Sequence, residues 1–129
     1  MSFEAYPTRD TEQDVRHHLV RMVGTGASAP TRIIGKGIAI TRDDVGVYTL
    51  TWASNPGAWI GPPAPGLQAT TSANVRGCSV TWGVFDTTTF AVQFKVWDGL
   101  AQAAGVWVAR ELEALEWLGF SIPFKLTGP

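Results

Sequence analysis

His17 and His18, the chain's two histidines, and the carboxylates Asp43, Asp44, Asp86, Asp98, Glu111, Glu113 and Glu116 are the residues whose types could do chemistry. Neighbours on a strand point to opposite faces, so adjacent imidazoles on a strand cannot close on one metal ion without distortion. No Cys or carboxylate stands beside them at ligand spacing. Gly35-Lys36-Gly37 invites comparison with a phosphate-binding loop, which needs Gly five residues before the Gly-Lys pair and Ser or Thr after it. Pro30 and Gly37 hold those places, so a glycine-rich turn is expected instead. Ser28, in Gly26-Ala27-Ser28-Ala29-Pro30, lacks the second Gly of a nucleophile elbow and reads as loop. Asp43-Asp44 could meet Asp86 or Asp98 around a hard cation only through folding, and turn chemistry explains the pair more simply. Glu111, Glu113 and Glu116 could in principle furnish a general acid and base, but they read as the solvated face of a short helix. Cys78 is the only cysteine, so no intrachain disulfide forms and the thiol reads as a small buried apolar residue. No catalytic residue, metal or cofactor is expected from these patterns, and an enzyme is the least favoured class.

The elements that must carry these residues read as strands. In Val47-Tyr48-Thr49-Leu50-Thr51-Trp52, Tyr48, Leu50 and Trp52 fall on one face and Val47, Thr49 and Thr51 on the other, as in a half-buried strand. Ile38, Ile40 and Thr41 suit a preceding strand that turns at Arg42-Asp43-Asp44 onto it, forming a hairpin. Val15 to Val23 is a candidate strand ahead of the loop Gly24 to Pro30, and further strands are expected over Leu67–Ser72, Cys78–Phe85 and Thr88–Trp97. Asn55-Pro56-Gly57 and Pro65-Gly66 are turn signals. The bridge between them is expected to be extended, with Trp59 and Ile60 outside any alternation and available to a partner. Ala109, Leu112 and Leu115 recur at a spacing of three and predict a short helix over 109–118. The final strand, 118–126, contains Pro123, which predicts an edge strand, a bulge or an unpaired position there. Residues 1–14 are polar without a sustained period and read as an arm, leaving 15–129 as one domain. Together these features predict an all-β fold, an antiparallel β-sandwich or jelly roll with one short helix and an N-terminal arm.

Composition narrows the function. The 129 residues carry a formal net charge of −1, and only 16% are charged, against roughly 25% in soluble domains. With no basic stripe and no acidic tail, nucleic acid is not an expected partner. No run approaches the roughly 18 apolar residues of a membrane span, and the start lacks the apolar region of a secretory signal. A cytosolic origin without membrane association is the expectation. Six Trp in so short a chain exceed what a small interior holds comfortably at about 150–250 Å² each, so about half are expected in the core and the rest at interfaces.

Gly37-Ile38-Ala39-Ile40-Thr41-Arg42, then Val45 to Trp52, and the closing Gly119-Phe120-Ser121-Ile122-Pro123-Phe124-Lys125 together resemble small virion structural proteins of tailed bacteriophages, in particular head decoration, or cement, proteins. The resemblance covers most of residues 15–126 and departs at the Pro-rich bridge 56–66 and at 109–118. It implies a β-sandwich subunit without catalysis, a homotrimer on the outer surface of the capsid that clamps neighbouring major capsid subunits. Phe3, Tyr6 and Arg9 would anchor the arm, and Trp59 and Ile60 would serve a subunit or capsid interface. A head-fibre or tail component using the same sandwich is the alternative within the virion, and a carbohydrate-binding module stacking sugars on Trp59 is the alternative outside it.

Overall fold

The computed structural model describes residues 15–63, 65–68 and 77–126. Among the described residues nine strands and one helix follow in the order β1 (Val15–Val23), β2 (Thr31–Ile34), β3 (Ile38–Asp44), β4 (Val47–Trp52), β5 (Ala58–Trp59), β6 (Pro65–Gln68), β7 (Cys78–Trp82), β8 (Ala91–Asp98), α1 (Gly99–Ala103) and β9 (Trp117–Lys125). They form two antiparallel sheets. Sheet A has the order β2-β1-β9-β5, with β6 also on β9, and sheet B the order β3-β4-β8-β7. The two pack face to face as an all-β sandwich, and each of the hairpins β1–β2, β3–β4 and β7–β8 stays within one sheet.

Period-two alternation builds the core. Sheet A contributes Val20 and Met22 from β1 and Leu118, Phe120, Ile122 and Phe124 from β9; sheet B contributes Ile38, Tyr48, Leu50, Trp52, Val92, Phe94 and Val96. All are buried. Aromatic rings dominate the interior: Trp52 and Phe85 each meet Phe124 edge-on at 5.2 and 5.5 Å, and Trp82 meets Phe120 edge-on at 4.8 Å. Such geometry sets the positive ring edge against the negative face.

The β3–β4 hairpin forms as its pattern predicts, but Asp43 and Asp44 belong to β3, with a register irregularity between Arg42 and Asp44, and Val45-Gly46 makes the turn. Gly46 has φ +67, and a Cβ there would stand 2.7 Å from the Arg110 carbonyl oxygen. Gly35-Lys36-Gly37 is a turn leading into β3. Pro123 does not make β9 an edge: β9 lies between β1 and the β5/β6 side. Of the expected alternatives the unpaired position is the one that forms. On that side Trp59 pairs with Phe124 and Pro65 with Phe120, so Pro123 falls in the interval that neither strand covers. Of the strand expected over Leu67–Ser72, Leu67 and Gln68 lie in β6 and residues 69–72 lie outside the described residues.

The helix expected over 109–118 is not there. The helix is α1, capped by Asp98, whose carboxylate accepts the backbone N–H of Leu100 and Ala101. Residues 106–116 instead run as irregular chain whose peptide groups bond to β8 and to the loop after β1. Asp98 N–H donates to the Val108 carbonyl, Arg110 N–H to the Val96 carbonyl, and Gly24 and Gly26 N–H to the carbonyls of Glu116 and Leu112. Leu115 has φ 69 and is 70% exposed. The glutamates are correspondingly not a solvated helical face. Glu116 is buried and holds Arg110 at 2.6 Å, both side chains being 1% exposed. Glu111 takes a bidentate contact from Arg42 and the hydroxyl of Tyr48 at 3.0 Å.

Candidate interaction surfaces

Segment 106–116 is fixed from inside. The Tyr48 hydroxyl accepts the Leu112 N–H at 3.0 Å while donating to Glu111, and the Glu113 N–H donates to Glu116 Oε1 at 2.6 Å. Burial in this network pushes the Tyr48 phenol up to about 12. The Arg42 hydrogen bond holds the Glu111 carboxyl below its ordinary range.

The outward result is an apolar rim. Ala109 bridges Trp97 across the end of β8, which places Trp107 diagonally against it, the two indoles meeting edge-on at 5.3 Å. The Trp97 N–H donates to Thr81 Oγ1, and the Lys95 ammonium lies 5.9 Å from the Trp97 ring centre. Trp107 is thus positioned from one side yet 61% exposed, and its chain neighbours Val106 and Val108, and Leu100 in α1, are exposed too. Exposed apolar groups gathered in one place mark contact surfaces more often than scattered ones do.

Sheet A carries a second surface. On its outer face a groove of about 400 Å³ is lined by Leu19, Arg21, Ile34, Gly66, Trp117 and Gly119 among others. Gly66 and Gly119 are direct partners across the β6–β9 ladder, so no side chain rises from its floor at that point. Arg21 lies over the Trp117 ring at 5.9 Å.

At the mouth of the sandwich the inward face of β1 changes from Val20 and Met22 to His18 and Arg16. His18 Nδ1 accepts the Trp52 indole N–H at 3.0 Å and its ring packs on Phe124 at 5.1 Å. Burial, with Arg16 adding to it, holds the imidazole below 6.5. His17 lies on the opposite, exposed face, with Ser121 Oγ at 3.4 Å, so the two histidines diverge as adjacent strand residues must. No family model matches this chain, and no curated protein or solved structure matches it.

The residues singled out from sequence have different fates. Trp59 packs into the chain's own aromatic cluster, stacked on Phe85 at 5.6 Å and edge-on to Phe124 at 5.7 Å, whereas Ile60 is 51% exposed. Phe3, Tyr6 and Arg9 lie outside the described residues. Asp43 pairs with Thr49 and Gln93, and Asp86 accepts the N–H of Thr88 and Thr89, so each serves local structure. Cys78 is half-buried against the core, and burial raises its thiol. Arg16, Trp97 and Trp107 are not singled out by sequence, and Lys36 stands there only within a glycine-rich turn. Val106-Trp107-Val108, three large apolar residues in a row beyond a strand, was the available signal for Trp107.

Proposed function

We propose that this chain is a non-enzymatic phage head decoration protein that binds the outer capsid surface and braces neighbouring major capsid subunits. The observation that carries the reading is Trp107, held by Trp97 at the rim of sheet B and exposed together with Leu100, Val106 and Val108. Covering the open part of one indole, taken as about 150–250 Å² in all, at about 25 cal/mol per Å² supplies about 2–4 kcal/mol before the cost of association. The reading is further supported by the sandwich that the strand grammar of Gly37–Trp52 and Gly119–Lys125 implied. Self-association into a homotrimer belongs to the same proposal, with repeated weak contacts adding through effective concentration. Trp59, the stacking residue of the carbohydrate-binding alternative, is partly buried against the core with one face stacked on Phe85, which supports that alternative less than an open ring would.

The test is sedimentation with purified heads of the phage that encodes the chain, prepared without it. The chain should saturate them at a fixed ratio to the major capsid subunit. Trp107→Ala should bind at least tenfold more weakly while keeping the far-UV circular dichroism of the parent, since an exposed substitution costs the fold at most about 1 kcal/mol. Failure of the folded parent to sediment with such heads overturns the reading.

A further inference from the structure

Charge is segregated along the first third of the chain. Residues 1–14 carry Glu4, Asp10, Glu12 and Asp14 against Arg9 alone, whereas residues 15–42 carry Arg16, Arg21, Arg32, Lys36 and Arg42 and not one carboxylate. Of these cations, Arg42 is engaged by Glu111. Arg16 and Lys36 meet at two adjoining clefts of about 410 and 250 Å³ that share Arg16, His18 and Lys36. Among the described residues no carboxylate lines either cleft. The first cleft lies along β1 where β2 does not cover it, since the β1–β2 ladder runs only over Arg21–Val23. Leu19 and Ile34, 59% and 42% exposed, form its apolar side. A partly open strand edge flanked by cations and apolar side chains suits an extended acidic segment with apolar anchors.

We propose that residues 1–14 of a second copy of this chain dock in this notch as an added strand. Their carboxylates, all at even positions, share the strand face toward Arg16 and Lys36, and Phe3 on the alternate face lies toward Leu19 and Ile34. The segment of the same copy is a poorer fit. Folding back beside β1 requires a tight reversal within Thr11-Glu12-Gln13-Asp14, where Asp14 is the one turn-favouring residue. Reversal at Pro7 leaves six residues, which return alongside residues 8–13 and stop short of Val15. Reach to a neighbour is ample: 14 residues at roughly 3.3 Å each extend about 46 Å, against a radius of gyration of about 14 Å for a domain of this length. Mutual exchange of such arms closes an oligomer. The inference rests on the self-association in the decoration reading and deepens it by naming the contact that would hold the copies together.

The experiment measures the mass of full-length protein by light scattering at low salt. The parent should exceed the 13.9 kDa of one chain by a whole multiple. Changing Glu4, Asp10, Glu12 and Asp14 together to Lys, or Arg16 and Lys36 together to Glu, should weaken self-association at least tenfold. An equimolar mixture of the two variants should regain the multiple, because each then offers the other a complementary segment and notch. Near-UV circular dichroism checks that both keep the sandwich, and Arg16→Gln with Lys36→Gln replaces the second variant if reversal unfolds it. A parent of 13.9 kDa, variants that retain the parental mass, or a mixture of folded variants that stays at one chain overturns the proposal. None of these results depends on heads: a chain that sediments with heads yet stays at 13.9 kDa alone overturns this proposal and the homotrimer while leaving capsid binding standing.

Discussion

The Tyr48 hydroxyl stands 3.0 Å from the Leu112 amide, joining the middle of sheet B to a stretch of chain with no regular structure of its own. Leu112 is fully buried, so its N–H has this phenol in place of water. Tyr48→Phe should therefore cost about 1–3 kcal/mol, the penalty of a buried donor left without an acceptor, read as a lower midpoint in chemical denaturation. The same phenol sets an alkaline limit. Its value is raised to about 12 from an ordinary 10.0, so above pH 10 the unfolded chain releases the proton first. Stability is then full below about pH 10 and falls as pH rises toward 12. Tyr48→Phe should flatten that limb; an unchanged slope would show that other groups set it.

Arg110 and Glu116 make a second, wholly buried attachment of the same stretch. Removing one partner strands the other charge, which costs about 3–5 kcal/mol in comparable sites, whereas replacing both with apolar residues costs far less. Arg110→Met is expected to destabilise by that amount, and Arg110→Met with Glu116→Met to recover at least about 1 kcal/mol of it, despite losing the Glu113 amide's acceptor. Double-mutant denaturation curves measure the coupling. Additive losses would mean that the pair acts as two independent side chains.

Toward acid, His18 should be the first described group to weaken the fold. Its Nδ1 accepts the Trp52 indole N–H, and a protonated ring has no lone pair left to do so. Burial first, then Arg16, keeps its value below 6.5, so the unfolded chain takes up the proton before the folded one. Its contribution is present above about pH 6.5 and is lost as pH falls through the folded value. Glu111 adds a separate loss below its ordinary 4.5. Denaturation midpoints for His18→Gln should lose the slope between about pH 7 and 5 and keep the lower one. A parental slope in that variant would assign the acid limb elsewhere.

Where alternation was strong, the fold was legible in the residues. Val15–Val23 and Val47–Trp52 are strands with the bounds their patterns predict, and the inward set Tyr48, Leu50 and Trp52 is the buried set. Local pattern failed where tertiary demand outweighed it. Leu112 and its neighbours have helical spacing, yet their amides and carbonyls are taken by Tyr48, Glu116, Gly24 and Gly26. The actual helix lay hidden behind Asp98, which in the sequence stood out only as a possible cation ligand and not as a helix cap. β2 escaped notice because Thr31–Ile34 is exposed at every position and carries no alternation. Trp59 looked available because β5 has only two residues, too few to show a period; its ring packs, partly buried, against the core. The cationic notch depends on Arg16 and Lys36, one on a strand and one in a turn, which only the folded chain brings to the same clefts.

β1 pairs with β9 along all nine of its residues, from Val15 opposite Lys125 to Val23 opposite Trp117. During synthesis the first described strand must therefore wait for the last. Sheet B can assemble from β3, β4, β7 and β8 while β1, with Val20 and Met22 uncovered, has neither its central neighbour nor the apolar face of β9 to close over. Long-range pairing of this kind slows folding and leaves a nascent chain open to association for most of its translation. A chain stalled before Trp117 would hold one finished sheet and one lone hairpin, so premature termination near the end is as damaging here as a break in the middle.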